Sequence, residues 1–178
     1  MPSTTRTSSP ARTSSPARTP GKTRTPANTT AVALRLGANR SLWEGLVRYD
    51  ASSRYYARLA AEPDYEAWLL TWLPGQGTDW HDHGGSAGAF VVLQGVLTEQ
   101  RAQVQPDGPP RIVPSAQQYA VEAVRPFGTK HLHKVTNNGL RPAISLHVYA
   151  PSLSEMNYYS EQGGLLRPTD PKQAGVDW

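Results

Sequence analysis

Hydrophobic positions divide this chain into three parts. Residues 1–30 hold almost none and are dominated by Ser, Thr, Pro and Arg, with the hexamer RTSSPA repeated in tandem at 6–11 and 12–17. From 30 to 47 the apolar positions Val32, Leu34, Leu36, Leu42, Trp43, Leu46 and Val47 predict helix, broken near Gly37. Tyr65 to Leu73 (YEAWLLTWL) then reads as a buried strand, stopped by Pro74-Gly75-Gln76-Gly77. Short strand segments follow at 79–83, 88–94, 96–104, 111–114, 117–124, 131–136 and 143–149. Gly95, Asp107-Gly108-Pro109-Pro110, Pro126-Phe127-Gly128 and Asn138-Gly139 punctuate them. Many short strands with turn residues between them predict an all-β sandwich or barrel. Segment 54–60 (RYYARLA) is ambiguous by propensity, and 151–178 shows little periodicity and is expected to wrap the barrel.

A tail so poor in apolar residues buries too little surface to offset the entropy of ordering. Residues 1–29 are therefore expected to be a disordered tail and 30–178 a single domain. The tail's Arg and Ser bias is that of a transit peptide, but its repeated prolines oppose the amphipathic helix such peptides need. Charge changes the picture little. The net charge of +4 is owed to Arg6, Arg12, Arg18, Lys22 and Arg24 in the tail; the other 13 basic residues face 14 acidic ones. A near-neutral domain offers no nucleic-acid surface. The chain has no cysteine, which rules out disulfides, thiolate ligands and a cysteine nucleophile. It has no apolar run long enough to span a bilayer, so a cytoplasmic, soluble monomer is expected.

The chemistry gathers in one segment: all five histidines (His81, His83, His131, His133, His147) lie between 81 and 147. On a strand, His81 and His83 share a face, so their imidazoles converge as a first-row metal site requires. In AISLHVYA, Ser145, His147 and Tyr149 share one face while Ile144, Leu146 and Val148 share the other. A polar row facing inward is costly unless each member is hydrogen-bonded, which marks it as a site more than a core. Trp68, Trp72 and Trp80 are read as core and rim packing, and Gly84-Gly85 as a turn.

Two histidine-bearing strands separated by a hairpin resemble the two motifs of the cupin superfamily, a small jelly-roll β-barrel here preceded by N-terminal helices. The carboxylate that follows HxH in the first cupin motif is absent, since Ala87 or Gly88 stands there. His133-Lys134-Val135-Thr136-Asn137 fits the second motif, making His133 the third ligand and His131 a neighbour. A three-histidine cupin with HDH (81–83), HLHKVTN (131–137) and SLHVYAP (145–151) resembles the cysteine dioxygenase family of thiol dioxygenases. Tyr56-Ala57-Arg58 is similar to that family's Tyr-x-Arg element.

The resemblance implies an Fe(II) enzyme that adds both atoms of O2 to the sulfur of L-cysteine, giving cysteine sulfinate. His81, His83 and His133 would bind the metal and leave positions open for a small thiol and O2. Arg58, with Tyr56 as a partner, would hold the substrate carboxylate, because a planar fork suits a carboxylate; Arg54 is a second candidate. Tyr149 would offer its hydroxyl to substrate or oxygen, oriented by His147, which Ser145 holds. This role requires a strand over 54–60, and the family pattern places a cis peptide at Ala150-Pro151. Some relatives cross-link the tyrosine to a cysteine; Gly88 stands at that position, so Tyr149 is expected to remain a free phenol. Dioxygenation of another small thiol, such as 3-mercaptopropionate, and a non-catalytic metal-binding cupin are the alternatives.

Overall fold

The computed structural model describes residues 27–169 and 171–173. Residues 1–26 of the expected tail lie outside them, but its end is helical: Thr29 opens helix α1 (Thr29–Ala38), and Asn28 accepts from the Ala31 amide as N-cap. The helix stops where expected, and two 3-10 turns, Arg40–Leu42 and Glu44–Leu46, replace its predicted second half.

Short strands make up most of the remaining described residues. They are β1 (Tyr55–Glu62), β2 (Tyr65–Trp72), β3 (Trp80–His81), β4 (Ala87–Gln94), β5 (Leu97–Gln103), β6 (Arg111–Ile112) and β7 (Gln117–Tyr119). Then come β8 (Val124–Phe127), β9 (Leu132–Thr136), β10 (Ala143–Ala150), β11 (Glu155–Met156), β12 (Tyr158–Gln162), β13 (Leu165–Pro168) and β14 (Lys172–Gln173). One sheet runs β1-β2-β10-β4-β8; the other runs β6-β13-β12-β3-β9-β5-β7, and β6 also pairs with β5. That last pairing closes six antiparallel strands into a barrel and removes their edges.

The polar and apolar faces of β10 sort as alternation predicts. Leu146 and Val148 pack with Ala33 and Leu36 of α1 in one cluster, and Ile144 packs with Leu69 and Trp43 in another. The opposite face of this sheet meets the second sheet across a core containing Trp72, Phe90, Leu97, Phe127 and Val135. A fourth cluster, Trp80, Leu132 and Leu166, lies on the far side of β3 and β9. Because neighbours along a strand point oppositely, burying Trp80 and Leu132 there turns His81 and His133 toward the space between the sheets.

Three expectations meet the structure here. Segment 151–178 does more than wrap the barrel: it supplies β11 to β14, with β12 paired to β3 and β13 to β6. Its strands are too short and too polar to show an alternating pattern. The segment 117–124 is split, and β8 runs into the predicted Pro126-Phe127-Gly128 turn. Proline is tolerated there because β8 is an edge strand. Segment 54–60 is strand from Tyr55 onward, as the family resemblance requires, although its alanines favour helix. Among the described residues, no helix is long and apolar enough to cross a membrane.

Leu146 is fully buried beneath α1 and faces away from the polar row. Leu146→Ala should lower unfolding free energy by about 2–5 kcal/mol in denaturant titration while leaving metal binding unchanged.

Candidate metal centre and active site

His81 and His133 are direct partners across the β3–β9 pair, and His83 follows two residues after His81. The turn after His83 needs Gly84, whose φ is +55° and whose missing side chain leaves room for Glu155. Asp82, facing away from the site, pins the loop. Its Oδ1 accepts from the Gly84 amide (2.9 Å) and Asn157 Nδ2 (2.8 Å), and its Oδ2 accepts from the Tyr159 hydroxyl (2.6 Å).

One nitrogen from each of His81, His83 and His133 lies within 4.8 Å of the others. Hydrogen bonding decides which nitrogens those are. His81 Nδ1 donates to the Asp79 carbonyl at 2.9 Å, and His133 Nδ1 donates to Glu99 Oε1 at 2.8 Å, so both carry their proton on Nδ1 and present Nε2. Both ring nitrogens of His83 are buried without a hydrogen-bond partner among the described residues, a deficit that a cation satisfies. Burial drives the pKa of all three downward, with neighbouring histidines adding to it. Neutral imidazole is the ligating form, so the three side chains fit a divalent first-row metal.

The polar row of β10 is satisfied member by member. Trp72 Nε1 donates to Ser145 Oγ at 2.9 Å, and Ser145 Oγ lies 2.9 Å from His147 Nε2. With no other acceptor among the described residues, the serine proton goes to Nε2. Burial, then the field of His133 and Arg54, pushes His147 down to about 3. The neutral ring therefore carries its proton on Nδ1, which faces the Tyr149 oxygen at 3.5 Å. Burial raises the Tyr149 phenol, so it stays protonated at neutral pH. Its ring centroid stands 5.2 Å from that of His83. Ala150-Pro151 is cis.

Arg54, Tyr56, Trp68, Tyr149, Met156 and Tyr158 line a small cleft of about 70 Å³ beside the histidines. Arg54 lies over the Trp72 ring at 4.9 Å, and its Nε is buried without a partner among the described residues. Tyr56 packs edge-on against Trp68. Arg58 is exposed, over the Trp68 ring at 5.7 Å, and does not line the cleft. A bulge between Arg58 and Ala60 interrupts the alternation, and Leu59 packs toward the helix side of the sheet. The structure thus gathers Tyr56, Ser145, His147 and Tyr149 around His81, His83 and His133, with Arg54 lining the cleft and Arg58 outside it.

A profile of the cysteine dioxygenase type I family matches residues 24–162. The chain belongs to this family. Membership implies a dioxygenase, an oxidoreductase that takes O2 and a small-molecule substrate. The fold is shared more widely. A protein from Thermus thermophilus has a TM-score of 0.52 at 22% identity, over 61% of this chain and 93% of that one. A cupin superfamily protein from Desulfitobacterium hafniense gives 0.47 at 14% identity, over 61% and 87%. Membership of the family, with the closed six-strand barrel, makes this a cupin-type fold.

Gly88, where some relatives carry the cross-linking cysteine, is the partner of Tyr149 across β4 and β10. A Cβ on Gly88 would come within 2.5 Å of Phe127 Cζ and 2.6 Å of the Val148 carbonyl. Phe127 fills that space and stacks on His83 at 4.7 Å. With no cysteine in the chain, Tyr149 is a free phenol.

Sequence reasoning missed Glu99, which is 0% exposed. Its Oε1 accepts from His133 Nδ1 and His131 Nε2, both at 2.8 Å; its Oε2 accepts from Arg125 Nε at 3.0 Å and the Tyr119 hydroxyl at 3.2 Å. Burial alone would raise its pKa, but the bonds from His131 and His133 outweigh that and hold it well below the usual carboxylate range. The available signal was register: Glu99 shares a strand face with buried Leu97.

Two outcomes are expected. His133→Ala should abolish tight binding of a divalent metal in calorimetric titration. Gly88→Ala should cost about 1–3 kcal/mol in thermal or denaturant unfolding, since both the Phe127 ring and the Val148 carbonyl must shift to admit a methyl group.

Proposed function

We propose that this protein is a non-haem Fe(II) thiol dioxygenase that converts L-cysteine and O2 to cysteine sulfinate. The observation that carries this reading is Arg54, a cation with a buried, unpartnered Nε in a small cleft shared with Tyr149 and adjoining three neutral imidazoles. Such a site fits a short molecule with a soft donor at one end and a carboxylate at the other. The balance is simple: a thiol and one O2 give one sulfinic acid, the S–H proton passing to the product or to solvent.

Iron held by His81, His83 and His133 would supply open coordination positions and the electron density that lets O2 react with a thiolate. The chain's own groups do the rest. The Trp72 face and the cleft wall hold the Arg54 guanidinium, which orients the carboxylate through paired N–H donors. Tyr56 packs the substrate-facing wall against Trp68. His147, fixed through Ser145 by the Trp72 indole, donates to the Tyr149 oxygen and leaves the phenol proton free to point at the substrate. That proton steadies negative charge on a carboxylate or on developing S–O oxygens. Tyr158 and Met156 form part of the cleft wall. Arg58, exposed over Trp68, is assigned no contact with substrate.

Each chain carries every group of the site, so a monomer is sufficient. A reducing cytoplasm keeps the thiol substrate available.

Oxygen uptake by the anaerobically Fe(II)-loaded protein, compared across L-cysteine, cysteamine and 3-mercaptopropionate, tests the reading. Uptake with cysteine and one sulfinate per O2 is expected. Preference for 3-mercaptopropionate would move the substrate, and no uptake with any thiol would leave a metal-binding cupin without this chemistry. Arg54→Ala should raise KM for cysteine by about 10- to 100-fold with little change for cysteamine, and Arg58→Ala should change neither. The reverse ranking would return the clamp to Arg58.

A further inference from the structure

Glu99 lies on β5, outside both histidine motifs, and the proposed reaction gives it nothing to do. A carboxylate in a dry barrel wall is tolerated only when fully paired. One arginine would suffice for that, yet four donors converge on Glu99, and two of them are histidines. The division of donors is orderly. Oε1 takes His133, a ligand of the metal cluster, and its neighbour His131; Oε2 takes Arg125 and Tyr119.

We propose that Glu99 is the positioning residue of the metal centre and that Arg125 and Tyr119 temper it. Glu99 keeps the His133 proton on Nδ1, aims Nε2 at His81 and His83, and strengthens its donation by placing a full negative charge behind the ring. His131 steadies the same oxygen. Its ring stacks on Phe127 at 5.1 Å, and Phe127 stacks on His83 at 4.7 Å, so the carboxylate, two ligands and one aromatic ring form a single packed unit. Arg125, also tied to the Pro126 carbonyl, draws charge toward Oε2 and limits what Oε1 transmits. This inference rests on the three-histidine cluster binding a divalent metal, and not on which thiol is oxidised.

The two halves of the network act with opposite sign, which separates positioning from simple structural support. In Glu99→Gln the amide still reaches His133 but carries no charge and presents N–H groups to donors. Affinity for a divalent metal should fall by about 10- to 100-fold. In Arg125→Gln and in Tyr119→Phe the carboxylate charge concentrates on the histidine pair, and affinity should rise. A structural ion pair predicts a fall in both.

The experiment titrates the full-length apo protein anaerobically with Fe(II), and with Co(II) as an absorbing probe, in wild type and the three variants. Apo melting is measured alongside, and the histidine tautomers of the apo wild type are read by nitrogen NMR. Weaker binding in Glu99→Gln with tighter binding in Arg125→Gln and Tyr119→Phe, and a His133 Nδ1–H tautomer, are expected. Equal losses in all variants, unchanged affinities, or an Nε2–H tautomer at His133 would overturn the role of Glu99. If Glu99→Gln fails to fold, Tyr119→Phe, which alters no buried charge, decides by the same sign. A wild type that binds neither metal would instead overturn the metal reading beneath it.

Discussion

The pairing of His81 with His133 across β3 and β9 is the constraint on which the centre depends. It places two imidazoles side by side on a closed barrel wall, where neither strand can slip without turning its whole face over. Trp80 and Leu132, buried on the far side, hold that register through the hydrophobic effect. His83 is then delivered by a short turn that a left-handed glycine permits and Asp82 ties to Asn157 and Tyr159. The third imidazole thus depends on a polar staple, while the first two depend on apolar packing. This places the polar cluster beside the core without sacrificing the core's continuity.

Polar groups inside a protein must be matched, and here the matching determines proton positions. The chain of Trp72, Ser145, His147 and Tyr149 has a direction because an indole only donates and a buried serine proton needs an acceptor. His81 and His133 are oriented in the same way, one by a backbone carbonyl and one by a carboxylate. His83 has no such partner among the described residues, which is why its two nitrogens stand as the unmet demand of the site.

Alternation made the polar row of β10 legible in the sequence, and a continuous apolar run marked β4, which is buried on both faces. The histidine spacing pointed to the cluster although the expected strand 79–83 ends at His81 and His83 comes from the turn after it. The last strands were not legible, since β11 to β14 are short and polar; β12 pairs with β3 and β13 with β6, while β11 and β14 pair with each other. Arg58 was chosen over Arg54 on the Tyr-x-Arg resemblance; the strand is regular through Arg58, which lies exposed over Trp68, whereas Arg54, just before the strand, lies over Trp72 and lines the cleft. Glu99 escaped because its partners are dispersed along the chain at Tyr119, Arg125, His131 and His133, a grouping that only the barrel creates.

Counting charge inside the barrel bears on selectivity. Glu99 is balanced locally by Arg125, the three imidazoles are neutral, and buried Glu66 accepts from the Leu153 amide; Arg54 feels the field of Asp79 but makes no direct ion pair among the described residues. A divalent cation on neutral ligands adds two further positive charges to a low-dielectric space. A substrate that brings a thiolate and a carboxylate restores most of the balance; one lacking the carboxylate leaves Arg54 desolvated and unpaired. Discrimination then comes from the penalty on the wrong ligand as much as from contacts with the right one. On the proposed reading, selectivity rests on the charge of Arg54 together with the small volume of the cleft.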